Sequence, residues 1–256
     1  MVTVKDIYNT LNIIAPITEG ICYDNEGLLA GDFDSQVTKT LISLDATPEV
    51  CEEAREIGAN LIVTHHPVIY KPLRALQLES AVHKLMKYDI NLLAMHTSLD
   101  VSLKGVNFQL ANRLDLEKPD GFSYKSEAPI GVIGELKNEM NSKEFAEFVC
   151  KKLDCHGLRY TERQGNIKKV AVCGGAGGFL VRDAVLAGAD VLVTGEIKHS
   201  DILVANAHNL SVIDAGHYKT ENMIVPFLRD FLQEWFPDEE FVVTKVFDDR
   251  VKYLCE

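Results

Sequence analysis

The sequence predicts an α/β fold: two interacting α/β domains with mostly parallel central sheets and a metal site at the carboxyl ends of the strands. Three observations predict it. Short apolar runs of strand length alternate with segments of helical period along nearly the whole chain. The runs are apolar on both faces, as strands covered by helices on either side are. Four of them end abruptly in reactive residues.

The elements follow in order. Thr3 can cap a helix to about Ile14 that carries Val4, Ile7, Leu11 and Ile14 on one face. Residues 38–45 read as a strand. Thr47-Pro48 opens a helix with Val50, Ala54 and Ile57 inward, and Gly58 ends it. A strand at 61–63, a helix at 79–88, a strand at 90–95 and a helix at 106–114 come next. The polar stretch 115–128, with Pro119 and Gly121, reads as a boundary. After it come a strand (130–136), a helix (142–153, capped by Asn141 or Ser142) and strands near 157–162 and 168–173. A glycine turn at 174–178 leads to a helix (178–187), a strand (191–194), a helix (200–208) and a strand (210–214). Pro226 makes the last helix, 221–235, kinked or late to start. Strands at 241–247 and 251–254 close the chain. The expected domains are 1–122 with 215–256, which would carry the metal site, and 123–214.

Composition sets outer limits. The 256 residues allow one large domain or two small ones, and 46% hydrophobic with 25% charged residues is ordinary for a globular chain. A net charge of −12 disfavours nucleic acid backbones and anionic membranes as partners. The six cysteines show no C-x-x-C spacing, which argues against a thiolate zinc site, and Cys150 and Cys173 read as small core residues. No signal peptide or membrane span is legible, so a reduced cytoplasmic protein is expected. Gly58–Thr64 and Gly188–Thr194 agree at four of seven positions. Either a module is duplicated or a common turn is used twice.

The four reactive strand ends are Thr64-His65-His66-Pro67, Met95-His96 running on to Asp100, Thr194-Gly195-Glu196 running on to Lys198-His199, and Asp214-Ala215-Gly216-His217 running on to Glu221. Five of the eight histidines fall there, where open α/β sheets bind ligands. Neighbours on a strand point to opposite sides, so His65 and His66 suit two adjacent ions better than one. His217 and Glu221, four apart at a helix start, share a face. With Asp100 as a second carboxylate, this set fits a two-metal site bridged by Glu221. Nitrogen and oxygen donors without thiolate suit zinc first, then iron, manganese, cobalt or nickel. A lone strand-end histidine is an ordinary hydrogen-bonded residue; the joint occurrence carries the weight. His83, His156 and His208 read as surface residues. The turn Gly174–Gly178 fits neither common nucleotide motif, so phosphate cradle and tight packing turn are both open.

On these motifs the chain resembles the GTP cyclohydrolase I type 2 homologue family, also called the NIF-three-like family. The resemblance rests on Asp24-Asn25 with Gly27-Leu28, Thr64-His65-His66-Pro67, His96-Thr97 with Leu99-Asp100, the glycine turn, Thr194-Gly195-Glu196, and Gly216-His217 with Glu221. It implies a short-form member without the domain that many members carry inserted, a toroidal homohexamer, and His65, His66, Asp100, His217 and Glu221 as ligands of two divalent ions. Tyr23 stands where the family often has Trp. The implied activity is hydrolytic opening of the guanine ring of GTP with loss of formate. His96 or Glu196 would shuttle protons, and Lys198 with Gly175 and Gly177 would hold the triphosphate. A dinuclear phosphoesterase or amidohydrolase and a non-catalytic metal-binding or adaptor protein are the competing expectations.

Overall fold

A computed structural model of the chain describes residues 1–20, 24–122 and 129–254. Cys22, Tyr23, Cys255 and the part of the polar stretch at 123–128 lie outside them. The elements in chain order are α1 (Val4–Ile14), a 3-10 turn (Ile17–Glu19), β1 (Gly27–Ala30), β2 (Thr40–Ser43), α2 (Pro48–Ile57), β3 (Leu61–Thr64), α3 (Ala81–Tyr88), β4 (Asn91–Ala94), α4 (Thr97–Val101), α5 (Val106–Arg113), β5 (Glu117–Phe122), β6 (Gly131–Met140), α6 (Ser142–Lys152), β7 (Arg159–Tyr160), β8 (Ile167–Cys173), a 3-10 turn (Gly177–Leu180), α7 (Val181–Leu186), β9 (Val191–Thr194), α8 (His199–Ala207), β10 (Ser211–Asp214), α9 (His217–Glu221), α10 (Ile224–Trp235) and β11 (Phe241–Val243). The chain forms two compact units: Met1–Leu99 with Ile224–Asp248, and Asp100–Met223 with Asp249–Glu256.

The first unit holds a five-stranded sheet of order β1-β4-β3-β2-β11. Only β1 runs antiparallel; β4, β3, β2 and β11 are parallel. Its helices begin as their sequences dictate. Thr3 accepts from Asp6 N–H, and the Asp6 carboxylate accepts in return from Thr3 N–H, a reciprocal cap for α1. Thr47 caps α2, Pro48 fills its first position, and Gly58 ends it at φ +72°. The core gathers Leu41, Val50, Ala54, Ile62, Leu85 and Leu92. Each fully buried aliphatic side chain contributes about 1.5–3 kcal/mol. The parallel register sets Ser43 beside Thr64 and Thr64 beside Ala94, so β2, β3 and β4 end level.

The second unit holds a six-stranded sheet of order β5-β6-β8-β9-β10-β7. Asn141 and Glu144 form a reciprocal cap that starts α6, which packs Phe145 and Val149 against Val170, Val172, Val191 and Val193. Here again three parallel strands end level: Cys173 beside Thr194 and Thr194 beside Asp214. The two copies of the repeated motif do the same work, each passing from a glycine at φ +72° into a central parallel strand.

Several expectations need correction. The second sheet is mixed, with only β8-β9 and β9-β10 parallel; β5-β6, β6-β8 and β10-β7 are antiparallel. Part of the polar boundary is the edge strand β5, broken by a bulge between Glu117 and Asp120. Charge and proline are what an exposed edge carries, which is why its composition reads as a linker. Residues 251–254 form no strand. Of the two readings of the terminal helix, the late start holds: α9 ends at Glu221 and α10 starts at Ile224, leaving Pro226 in a first turn whose N–H groups have no helical partner to lose. β1 has no counterpart in the periodicity. No helix among the described residues is long and apolar enough to cross a membrane.

Candidate metal centre

In the first unit the level ends of β3 and β4 deliver three imidazoles to one place. His65 and His66 follow β3; Met95 N–H donates to Thr64 O at 2.9 Å, which carries His96 out beside them. Ring centroids lie 4.8 Å apart for His65 and His66, 5.2 Å for His65 and His96, and 5.6 Å for His66 and His96. One nitrogen of each lies within 4.8 Å of the others, close enough to share a cation. Pro67 biases His66 towards extended backbone, and His66 N–H donates to Leu44 O at 3.0 Å.

Each ring is held from behind through Nδ1. His65, fully buried, lies 2.9 Å from Met95 O. A carbonyl only accepts, so the hydrogen sits on Nδ1 and the Nε2 lone pair faces the other rings. Asp45 Oδ1 holds His66 Nδ1 at 3.0 Å, and Asp24 Oδ2 holds His96 Nδ1 at 2.7 Å. Oxygen acceptors on the outer nitrogens are the usual support of metal-ligating histidines. Burial raises the Asp24 carboxyl, but His96 and the Thr97 hydrogen bonds outweigh it and hold it well below the usual carboxylate range. Behind Asp24, Glu26 accepts from Thr97 Oγ1 (2.9 Å), from Ser98 N–H (2.8 Å) and from the Ser98 hydroxyl. Burial pushes Glu26 up despite those donors.

In the second unit the level ends of β8, β9 and β10 carry the glycine turn, Glu196 and His217. His217 Nε2 lies 3.0 Å from Glu221 Oε2, as their spacing on α9 requires. Glu196 Oε1 holds His217 Nδ1 at 2.6 Å. Glu196 is therefore the carboxylate behind a histidine, a role its position past β9 did not announce. Asp100, on α4, is half-buried. Cys173 is pushed well up by complete burial first and then by the charges of Asp100 and Glu221, so both carboxylates lie within electrostatic reach of that thiol. It stays a neutral core residue, as its apolar flanks imply.

The glycine turn packs tightly against these groups. A Cβ on Gly175 would fall within 3.0 Å of Glu221 Oε1 and 3.1 Å from His217 Nε2, and Gly175 sits at φ +59°. Gly174 N–H donates to Asn107 Oδ1, Gly175 N–H to Thr220 Oγ1, Gly177 N–H to Thr194 Oγ1 and Gly178 N–H to Glu196 O. Those amides, including both at Gly175 and Gly177, are spent inside the protein; the turn packs rather than cradles a phosphate. Lys198 and Glu196 are exposed and line a cavity of about 530 Å³. His199 starts α8 exposed; His156 and His208 are exposed as well, and His83 is half-buried.

Sequence reasoning missed Asp45 and the supporting role of Asp24. Asp45 lies 21 residues from His66 and reaches it only because β2 ends level with β3.

Comparison with known proteins agrees with this architecture. The sequence profile of Duf34/NIF3 (NGG1p interacting factor 3) matches residues 2–250. A Clostridium perfringens protein named GTP cyclohydrolase 1 type 2 homolog is 33% identical over 259 residues, spanning 98% of this chain and 99% of that one. A Staphylococcus aureus protein of the same name is 28% identical over 347 aligned positions, covering 93% of this chain and 94% of its own. That alignment is longer than this 256-residue chain, as an insertion in the relative requires. The crystal structure of Staphylococcus aureus protein SA1388 superposes with a TM-score of 0.91 at 27% identity over 99% of both chains. Reduced HcgD from Methanocaldococcus jannaschii superposes with a TM-score of 0.81 at 29% identity, over 95% of this chain and 98% of that one. With the motifs, the strand ends and the full-length match in agreement, the chain belongs to the Duf34/NIF3 (NGG1p interacting factor 3) family.

Proposed function

We propose that the chain is a metal-dependent hydrolase that opens a purine ring, in the manner the name of its relatives describes, with GTP as the substrate to try first. One observation carries the reading. Each imidazole of the His65, His66 and His96 group, and His217, has its Nδ1 held by an oxygen, which turns Nε2 outward as a donor. Core or surface histidines have no need of four such supports.

The ligands we assign to two divalent ions are His65, His66, Asp100, His217 and Glu221, with zinc first and iron, manganese, cobalt or nickel as alternatives. Bound, such ions supply a water of lowered pKa and a positive charge beside the carbon under attack. The chain's own residues then divide the work. His96, braced by Asp24, takes the proton of the attacking water and returns it to the departing ring nitrogen. Water adds at C8 and the bond from C8 to nitrogen opens; hydrolysis of the resulting formamide releases formate. Glu196 keeps His217 oriented. Lys198, exposed beside Glu196, is the cation for the substrate's phosphates. The resemblance further supports a homohexamer, which light scattering of the full chain would test.

The test is formate release from GTP by zinc-loaded protein, with Glu221→Ala alongside. The expected result is formate from the native chain and none from the variant. Full activity in Glu221→Ala sinks the assignment. Turnover of phosphoesters or amides in place of GTP moves the chain to a dinuclear phosphoesterase or amidohydrolase, and full metal occupancy with no turnover to a binding protein.

A further inference from the structure

The cavity in the second unit has a composition of its own. Its volume, about 530 Å³, falls in the range of small-molecule sites, roughly 300–1,000 Å³. Phe179 lines it and is 63% exposed. Its ring is not on a loose loop. Gly178 N–H donates to Glu196 O at 3.2 Å, and a Cβ on Gly178 would meet the Glu196–Ile197 backbone at 3.1–3.2 Å, so the turn is pressed against the strand end that carries Lys198.

The charged lining comprises Arg159, Glu196, Lys198, Asp201 and Asp214. Arg159 is paired with Asp214, and Glu196 with His217. Among the described residues Lys198 and Asp201 form no ion pair. A bare polyanion would meet the carboxylates as well as the lysine and gain little. A ligand with an anionic end and a planar, N–H-bearing end meets Lys198, Asp201 and the Phe179 face together. Base stacking on an exposed aromatic ring is worth enough to dominate such a contact, and a carboxylate accepts from adjacent N–H donors.

We propose that this cavity binds a nucleotide, its base lying on Phe179 with an N–H edge toward Asp201 and its phosphate taken by Lys198. The choice of a nucleotide rests on the purine chemistry proposed above. Phe179 and Asp201 are thereby assigned to ligand binding, and the cavity reaches the chemistry through Glu196, the residue that holds His217.

The test is calorimetric titration of metal-free full-length protein with guanosine 5′-monophosphate and with guanosine. Phe179→Ala weakens both by about tenfold or more. Lys198→Gln weakens the monophosphate and leaves guanosine unchanged. Leu103→Ala, 76% exposed and outside the cavity lining, binds as the native chain does. Absence of binding by the native chain, or monophosphate binding by Phe179→Ala and Lys198→Gln equal to that of the native chain, overturns the proposal. Formate assays separate it from the hydrolase reading. No formate, with nucleotide binding lost in the variants, leaves the cavity standing and removes the hydrolase. Formate released with an unchanged KM in both variants does the reverse.

Discussion

Gly175→Ala tests the packing of Glu221 and His217 against the glycine turn, with an internal control. Gly175 and Gly188 both have left-handed backbone, at φ +59° and +72°. Alanine at either position carries the left-handed penalty of about 1–2 kcal/mol. They differ in surroundings. A Cβ on Gly188 has nothing nearer than Lys169 Nζ at 4.0 Å, whereas one on Gly175 lands on the Glu221 carboxylate. Glu221 is 4% exposed and has little room to retreat, which adds roughly 1–3 kcal/mol of overpacking. At ~2–4 °C per kcal/mol for a chain of this size, Gly188→Ala lowers the melting temperature by about 2–8 °C and Gly175→Ala by roughly twice that. Retreat of Glu221 also breaks its contact with His217, so only Gly175→Ala loses metal, by about 10–100-fold in affinity. Differential scanning calorimetry and zinc titration of both variants read the two effects. Equal melting shifts with native zinc affinity in Gly175→Ala would refute the placement of Glu221 beside the turn.

Further consequences can be checked separately. Asp24→Asn and Asp45→Asn remove the carboxylates behind His96 and His66, and each is expected to weaken zinc binding or turnover about 10–100-fold with little change in melting temperature; native affinity in both would show the imidazoles need no brace. Thr3→Ala breaks the reciprocal cap of α1 and should cost about 1 kcal/mol without touching metal binding, read by urea denaturation. Burial pushes the Cys51 thiol from an ordinary value near 9.0 to about 12. The folded value being the higher one, this term favours the native state fully below pH 9 and is lost as pH rises towards 12. Peptide-resolved alkylation at pH 8 should therefore leave Cys51 unmodified in the native protein and label it in urea; labelling in native buffer contradicts its burial.

Much of the fold was legible because each local signal agreed with its neighbours. Thr3, Thr47-Pro48 with Gly58, and Asn141 mark helix ends by chemistry that acts within a turn, and the structure realises all three, adding Asp6 and Glu144 as the reciprocal partners of Thr3 and Asn141. Signals that act across the sheet were not legible. The polar sequence of β5 is what an exposed edge needs and what a linker contains, so composition could not separate them. Strand direction in the second sheet depends on which partner each strand finds, which its own apolar run does not encode. The same limit governs the site. The histidines were visible because they cluster just past apolar runs. Their oxygen partners were not, because Asp45 meets His66, and Asp24 meets His96 across 72 residues of chain, only through sheet register. The glycine turn was readable as a turn, but whether its amides face a ligand or Asn107, Thr194 and Thr220 is settled only by packing.

The central claim is that bound metal makes this chain a hydrolase. Its most direct test is formate release from GTP by metal-free protein titrated with zinc, with occupancy measured on the same samples. The expected result is no formate at zero zinc, activity that rises with occupancy, and a plateau at two ions per chain. Zinc-replete protein that releases no formate, or metal-free protein that releases as much as the loaded form, would contradict it.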